Sequence, residues 1–337
     1  MEGLTRREIG SEFWSVPVTK SDNRLFPEHT QFFLSGRSAL NAILKHKGFR
    51  TAALPSWCCD SMIKPFLDAG IQITFYPVIG TRQNITNMQC DVMLVMDYFG
   101  FSGYSTVPDG YTGVVIRDVT HSLFSGKYDD ADYYFGSLRK WCGVYSGGVA
   151  WSNKGVIERP QGNNEEVIRL RKEAMMQKAA YIQGKTSQKD YLRLFTCAEE
   201  QLDEIAGIFQ AADEDMDRIR HMDVEYVRQK RRENASVLME GLTPYCLFQE
   251  LKSNDCPLFV PIVVEQRDAL RKWLISHDIY CPVHWPLSNM HTLNQNEKDI
   301  YLSEISLVCD QRYDTEDMMR IVEVVKEGVE YVKGIQN

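Results

Sequence analysis

Residues 112–148 read TGVVIRDVTHSLFSGKYDDADYYFGSLRKWCGVYSGG, and the fold is decided by how this stretch is read. It holds two apolar runs, VVIRDV and ADYYFGSL, that end in chemically active side chains. Asp118 closes the first run, and Ser137, Arg139 and Lys140 follow from the second. Neither run alternates strictly between apolar and polar residues, which is the pattern of strands buried on both faces. Further runs of the same kind flank the stretch: TAALP (51–55), IQITFYPV (71–78), DVMLVMDYF (91–99) and GGVAWSN (147–153). Helical spacing in SALNAILKHKGF (38–49) and a second helical segment at 58–69 fall between them. Pro65 weakens the second helix, and Gly48 and Gly70 serve as stops. Helices alternating with buried strands predict an α/β fold: a mixed, mostly parallel sheet sandwiched by helices.

Beyond residue 160 the texture changes. Segments 165–183, 189–209 and 215–242 are long, charged and helix-periodic. Gly241, Pro244 and the polar LKSNDCP (251–257) mark a boundary. After it, LFVPIVV (258–264), a helix near 266–277, ISLVC (305–309) and a helix over 315–333 form a smaller α+β unit. The expected division is a large domain over 1–240, with residues 1–30 as an arm, and a small C-terminal domain over 241–337.

Composition narrows the function. With 337 residues, 44% hydrophobic and 25% charged, the chain has ordinary globular values, which excludes wholesale disorder. A formal charge of −8 makes it a poor general nucleic-acid binder. No apolar run approaches the ~18 residues of a membrane span, and MEGLTRREIG lacks the apolar core of a secretory signal. Nine cysteines, an odd number without a CxxC, argue against a disulfide scaffold or zinc ribbon. The expectation is a cytoplasmic protein with no metal, membrane or nucleic-acid partner. Neither GxGxxG nor a P-loop is present, so an unrelated nucleotide-binding fold is disfavoured.

Three segments carry candidate chemistry. Ser35-Gly36-Arg37-Ser38 is a small-residue turn opening a helix, where free amides and the helix dipole attract an anion; Ser38 alone also reads as an N-cap. Asp118 lies at a strand's carboxyl end, the edge where open α/β sheets bind ligands. It can hold a cationic heterocycle, with His121 close by, or simply cap a loop. Lys140 follows a strand end, where partial desolvation lowers the pKa of an amine and exposes a nucleophile; Arg139 pushes the same way, and a surface lysine is the plain alternative. In that order, an anion turn, a strand-end acid and a Ser-x-x-Lys are the parts that pyridoxal phosphate requires.

With these residues in view, the chain resembles the DegT-type aminotransferases, fold-type-I pyridoxal-phosphate enzymes that mostly make amino sugars on nucleotide carriers. The resemblance runs from about Phe33 to the C-terminus. It is carried by SGRSALNAIL, ALPSWCCDSMIKPFLDAGIQITFYPV, VMDYFG, VIRDVTHSLFSG, the SLRKW segment with its paired glycine, RRENASVL and SLVCDQRY. It implies that Lys140 carries the coenzyme and moves a proton between Cα and C4′. It further implies that Asp118 keeps the pyridine nitrogen protonated, that His121 lies beside the ring, and that Gly36, Arg37 and Ser38 cup the phosphate. Pyridoxal 5′-phosphate is the implied cofactor, an amino acid (glutamate by family habit) the donor, and a nucleotide-linked keto-sugar the acceptor. A homodimer is implied because such active sites are shared between subunits.

The departures are specific. Arg37 stands where the family has a threonine. Phe135 occupies the place of a family serine, and Ser137 stands nearer the lysine. Cys59 replaces the family's ring-stacking aromatic, leaving Trp57 as the candidate for that role or as a core residue. Cys58 and Cys59 otherwise read as small buried hydrophobes. In the second domain, His284 and Trp285 form a candidate substrate wall. Arg312 is a candidate for the donor's carboxylate or for an internal salt bridge. The competing functional readings are a non-catalytic or regulatory DegT-like protein, and a different pyridoxal-phosphate reaction on a non-sugar substrate.

Overall fold

The computed structural model describes residues 8–334, apart from residues 24, 80–81, 84–87, 105, 126–128 and 206. The chain opens with β1 (Ile9–Gly10) and β2 (Gln31–Phe33), then α1 (Gly36–Leu44), β3 (Thr51–Pro55), α2 (Asp60–Asp68) and β4 (Gln72–Tyr76). A small hairpin follows, β5 (Val78–Ile79) and β6 (Arg82–Gln83). Next come β7 (Val92–Met96), β8 (Val114–Asp118), β9 (Tyr133–Ser137), a 3-10 turn (Leu138–Lys140) and β10 (Gly148–Ser152). Four helices follow: α3 (Glu165–Ile182), α4 (Tyr191–Glu204), α5 (Asp213–Arg220) and α6 (Val224–Gly241). The chain ends with β11 (Phe259–Val263), α7 (Arg267–Ser276), β12 (Ile279–Tyr280), α8 (Gln295–Ser303), β13 (Glu304–Val308) and α9 (Thr315–Gly334).

The main sheet has seven strands in the order β2-β10-β9-β8-β7-β3-β4. β4, β3, β7, β8 and β9 run parallel, while β10 is antiparallel to both of its neighbours. This is the mostly parallel α/β sheet that the apolar runs predict. Helices cover its strands on both faces, so β7 is buried at every position. Register decides where chemistry can gather: Met96, Asp118 and Phe135 lie level across β7, β8 and β9 at their carboxyl ends. A second, smaller apolar core combines β11, β13, α7 and α9.

Three details differ from the sequence reading. The expected arm is fastened: Ile9 is fully buried in the second core, and β1 pairs with β12. Residues 1–7 of that arm and 335–337 of the small domain lie outside the described residues. The helical run over 215–242 is two helices, because Asp223 turns the chain and its side chain accepts from Tyr226 N as the cap of α6. Helix α6 serves both cores, with Val227 in the first and Ala235 and Leu238 in the second, and the sequence boundary at 240 falls at its end. Helix α8 escaped the periodicity reading; a capping box of Asn294 and Glu297 starts it. No described helix is long and apolar enough to cross a membrane.

Candidate active site

A cavity of about 460 Å³ opens at the carboxyl edge of the sheet. Its floor is the level row Met96, Asp118 and Phe135. The turn before α1 (Ser35, Gly36, Arg37), the start of α2 (Cys59, Ser61, Met62) and the turn after β9 (Ser137, Arg139, Lys140) form its sides. Helix α4 closes one wall with Glu199, Leu202 and Asp203, three residues that share one face at helical spacing. The cavity therefore brings Lys140, Asp118, His121, Gly36, Arg37 and Ser137 together.

The mouth of α1 opens on the cavity. The Ser35 side chain accepts from Ser38 N (3.2 Å), and Ala39 N donates to Ser35 O (3.1 Å). Of the first four amides of the helix, those of Gly36 and Arg37 are left for a ligand. Ser38 is neither the cap nor a cavity residue: it is buried inside α1, and its hydroxyl donates to Gly207 O (3.1 Å). The hydroxyl available at the mouth is that of Ser35, one turn earlier. The paired glycine after Lys140 permits this layout. A Cβ on Gly148 would lie 2.0 Å from Ser35 O, so only glycine lets β10 pass this close to the α1 turn.

Asp118 is buried, and its Oδ1 accepts from Thr120 N (2.7 Å). Burial pushes its carboxyl up to about 6 against the hydrogen bonds from Thr120, with Asp97 adding to the rise. A carboxylate so placed gains from a cationic partner. His121 Nδ1 accepts from Phe99 N (3.3 Å), which assigns the ring proton to Nε2. Burial and the charge of Lys140 push the imidazole down to about 3, so the ring is a neutral donor at physiological pH. Next to Lys140, Trp141 Nε1 donates to Thr120 O (2.7 Å), which pins the lysine turn to the Asp118 loop.

Lys140 itself is an exposed residue on the cavity wall, with no hydrogen bond or ion pair to any described residue. The burial expected of a strand-end side chain is not found at this residue. Its neighbour Arg139 does not point its charge at the amine alone: its Nη2 donates to Glu199 Oε1. Arg37 reaches α4 instead of standing free, donating to Leu202 O (2.8 Å) and Asp203 Oδ1 (2.7 Å). The site can thus receive an anion at α1, hold a cation at Asp118 and offer an amine between them.

No protein-family model matches the sequence, and no curated protein matches it significantly. Solved structures match its shape. PseC of Helicobacter pylori, an aminotransferase involved in the biosynthesis of pseudoaminic acid, aligns with a TM-score of 0.64 at 15% identity, over 95% of this chain and 100% of that one. A DegT DnrJ EryC1 StrS aminotransferase from Brucella abortus aligns at 0.61 and 14%, over 90% and 86%. Spr1654 of Streptococcus pneumoniae, in its PMP-form, aligns at 0.63 and 15%, over 95% and 93%. The chain shares the fold of these aminotransferases.

Within that fold, the remaining candidates divide clearly. Trp57 is not in the cavity wall. It is buried, stacks on Tyr98 at 4.9 Å between ring centroids, and donates from Nε1 to His284 O (2.7 Å), so the ring-stacking role does not suit it. Besides Phe135 on the floor, Trp285 reaches the cavity, stacked on His121 at 5.6 Å. The sequence marked it, with His284, as a candidate substrate wall, and of the two it is Trp285 that lines the cavity. Cys58 is buried against His291 (3.6 Å), while Cys59 lines the cavity beside Ser61. His284 lies behind the wall, its Nδ1 2.8 Å from Ser306 Oγ and its amide donating to Glu304 Oε2 (2.7 Å). Arg312 stays outside the cavity, paired with Asp310 through Nε and Nη2 (both 2.8 Å). Glu199, Leu202 and Asp203 were missed because they face the site from a helix about 60 residues after Lys140.

Proposed function

We propose that the protein is a pyridoxal-phosphate-dependent aminotransferase. One observation carries this reading: a single cavity on an aminotransferase fold joins the free amine of Lys140 to the buried Asp118 and the open amides of α1. The residues fit the coenzyme by their chemistry. The orphaned Arg37 Nε and the two unpaired amides suit a phosphate, and a buried carboxylate suits a pyridinium N–H. PLP- and PMP-forms of Spr1654 share the fold. When bound, the coenzyme supplies an electron sink and a carrier for the amino group.

The chain supplies the rest. Lys140 holds the coenzyme and carries the proton between Cα and C4′. Asp118 keeps the ring nitrogen protonated. His121 would offer its Nε2–H to the coenzyme as a neutral donor, and Gly36, Arg37, Ser35 and Ser137 would hold the phosphate. The amino group passes from an amino acid, glutamate in this reading, to a keto group, with a nucleotide-linked keto-sugar as acceptor. The protein acts as a cytoplasmic homodimer without nucleic-acid or membrane partners.

Purified protein given pyridoxal phosphate should gain visible absorbance, and Lys140→Ala should not. A Lys140→Ala protein with the same band contradicts the assignment. Asp118→Asn should keep the band yet lose turnover by on the order of 100-fold; full turnover removes Asp118 from its role. Single turnovers with a panel of keto-sugars and keto acids identify the acceptor.

A further inference from the structure

Three guanidinium groups gather beside α4, and each carries a buried Nε with no hydrogen-bond partner: Arg37, Arg139 and Arg171. Arg139 and Arg171 share a single acceptor, Glu199 Oε1, with Arg171 Nη1 at 2.6 Å. The nearest other carboxylate, Glu12, lies 4.0 Å from Arg171, beyond hydrogen-bond range. This cluster has unused donor capacity on the wall of the cavity.

An amino-transfer site must accommodate two anions, the coenzyme's phosphate and the carboxylate of the amino donor, while keeping one amine free for covalent work. Among the described residues the cavity wall holds three cations: Arg37, Arg139 and Lys140. Lys140 is the amine. Arg37 opens α1, where the unpaired amides converge, and therefore belongs to the phosphate. Arg312, the cation that the sequence suggested for the donor, is taken by Asp310 and the arm carbonyls of Ser11 and Glu12. We infer that Arg139 is the receptor for the donor's carboxylate. The inference rests on the amino-transfer reading above. Arg139 and Lys140 both line this cavity, and the charges of both act on Glu199, so an acid held at the first keeps its amino-bearing carbon near the second. A guanidinium suits a carboxylate, and after the bond from Nη2 to Glu199, with Nε buried, the Nη1 end remains for a ligand. Glu199 and Glu12 share this wall and oppose a second anion, so Glu199 sets how tightly the carboxylate binds.

The full chain loaded with pyridoxal phosphate is titrated with glutarate, an unreactive dicarboxylate, and its coenzyme content after dialysis is measured separately. Arg139→Gln should raise the glutarate Kd about tenfold or more and leave the coenzyme content at the wild-type level. An unchanged Kd, or a parallel loss of coenzyme, overturns the inference; the latter places Arg139 in the phosphate cup. Glu199→Gln, which frees the arginine without removing it, should lower the glutarate Kd about threefold or more, and an unchanged or higher Kd also overturns it. If wild-type protein takes up no coenzyme, the amino-transfer reading fails by itself, and the same titration of the coenzyme-free chain still reports on Arg139.

Discussion

The surroundings of Arg312 and those of Arg139 look alike in sequence, each an arginine at the end of a strand, and differ in how much of the guanidinium is used. Arg312 is saturated. Asp310 takes it in a fork, three carbonyls of the arm crowd its Nη1, and it packs on the ring of Phe13 at 4.0 Å. Its side chain is 8% exposed and its partner's 4%. Arg139 shares one oxygen of a half-exposed glutamate with another arginine and keeps an unpaired Nε. A saturated guanidinium fixes structure, here by clamping the arm onto the second core. An unsaturated one on a cavity wall is available to a ligand.

Breaking the saturated pair should cost most. Arg312→Ala leaves Asp310 buried and uncompensated, and unfolding in urea should show a loss of about 3–5 kcal/mol. Arg139→Gln leaves Glu199 with Arg171, and its loss should be about 1 kcal/mol or less. Equal losses would erase the distinction between the two regions.

Two carboxylates sharpen the contrast through pH. Burial raises Glu199, but Arg139 and Arg171 outweigh it and hold the group at about 2, below its usual 4.5. Its contribution to stability is complete above about 4.5 and is lost as pH falls toward 2. Glu304 is fully buried, and burial pushes it up to about 8 against hydrogen bonds from Ser306 and His284 N and the charge of Arg267. Its contribution is complete below about 4.5 and is lost as pH rises through 8, with a slope of up to ~1.4 kcal/mol per pH unit. Glu304→Gln should therefore flatten the stability profile between pH 5 and 8, whereas Glu199→Gln should change it only on the acid side. A Glu199→Gln profile altered near pH 7 would contradict the assignment. The smallest effect is expected at the rim: Asp203 is largely exposed, so Asp203→Asn should shift stability by about 0.5 kcal/mol or less, measured by the same unfolding.

The strand edge was legible because buried strands write their own limits. The runs read as ending at Val119 and Leu138, and the structure ends β8 and β9 one residue earlier, at Asp118 and Ser137. The turn before α1 was legible as a helix start, although the cap proved to be Ser35 rather than Ser38, since any of several hydroxyls in SGRS satisfies the same local pattern. What came from afar was not legible. The α4 wall reaches the cavity through tertiary packing, and periodicity placed α4 as a helix without showing which face meets the sheet; the proline-flanked Trp285, by contrast, was already marked as a candidate wall. Arg312 stood open between the donor's carboxylate and an internal salt bridge; its partner Asp310 stands two residues away, but only the burial of both decides for the salt bridge.

The most direct measurement is borohydride reduction of the coenzyme-loaded protein followed by peptide mass mapping. The account predicts one added coenzyme mass, on the peptide containing Lys140. The same mass on a different lysine, or none after saturation with pyridoxal phosphate, would contradict it.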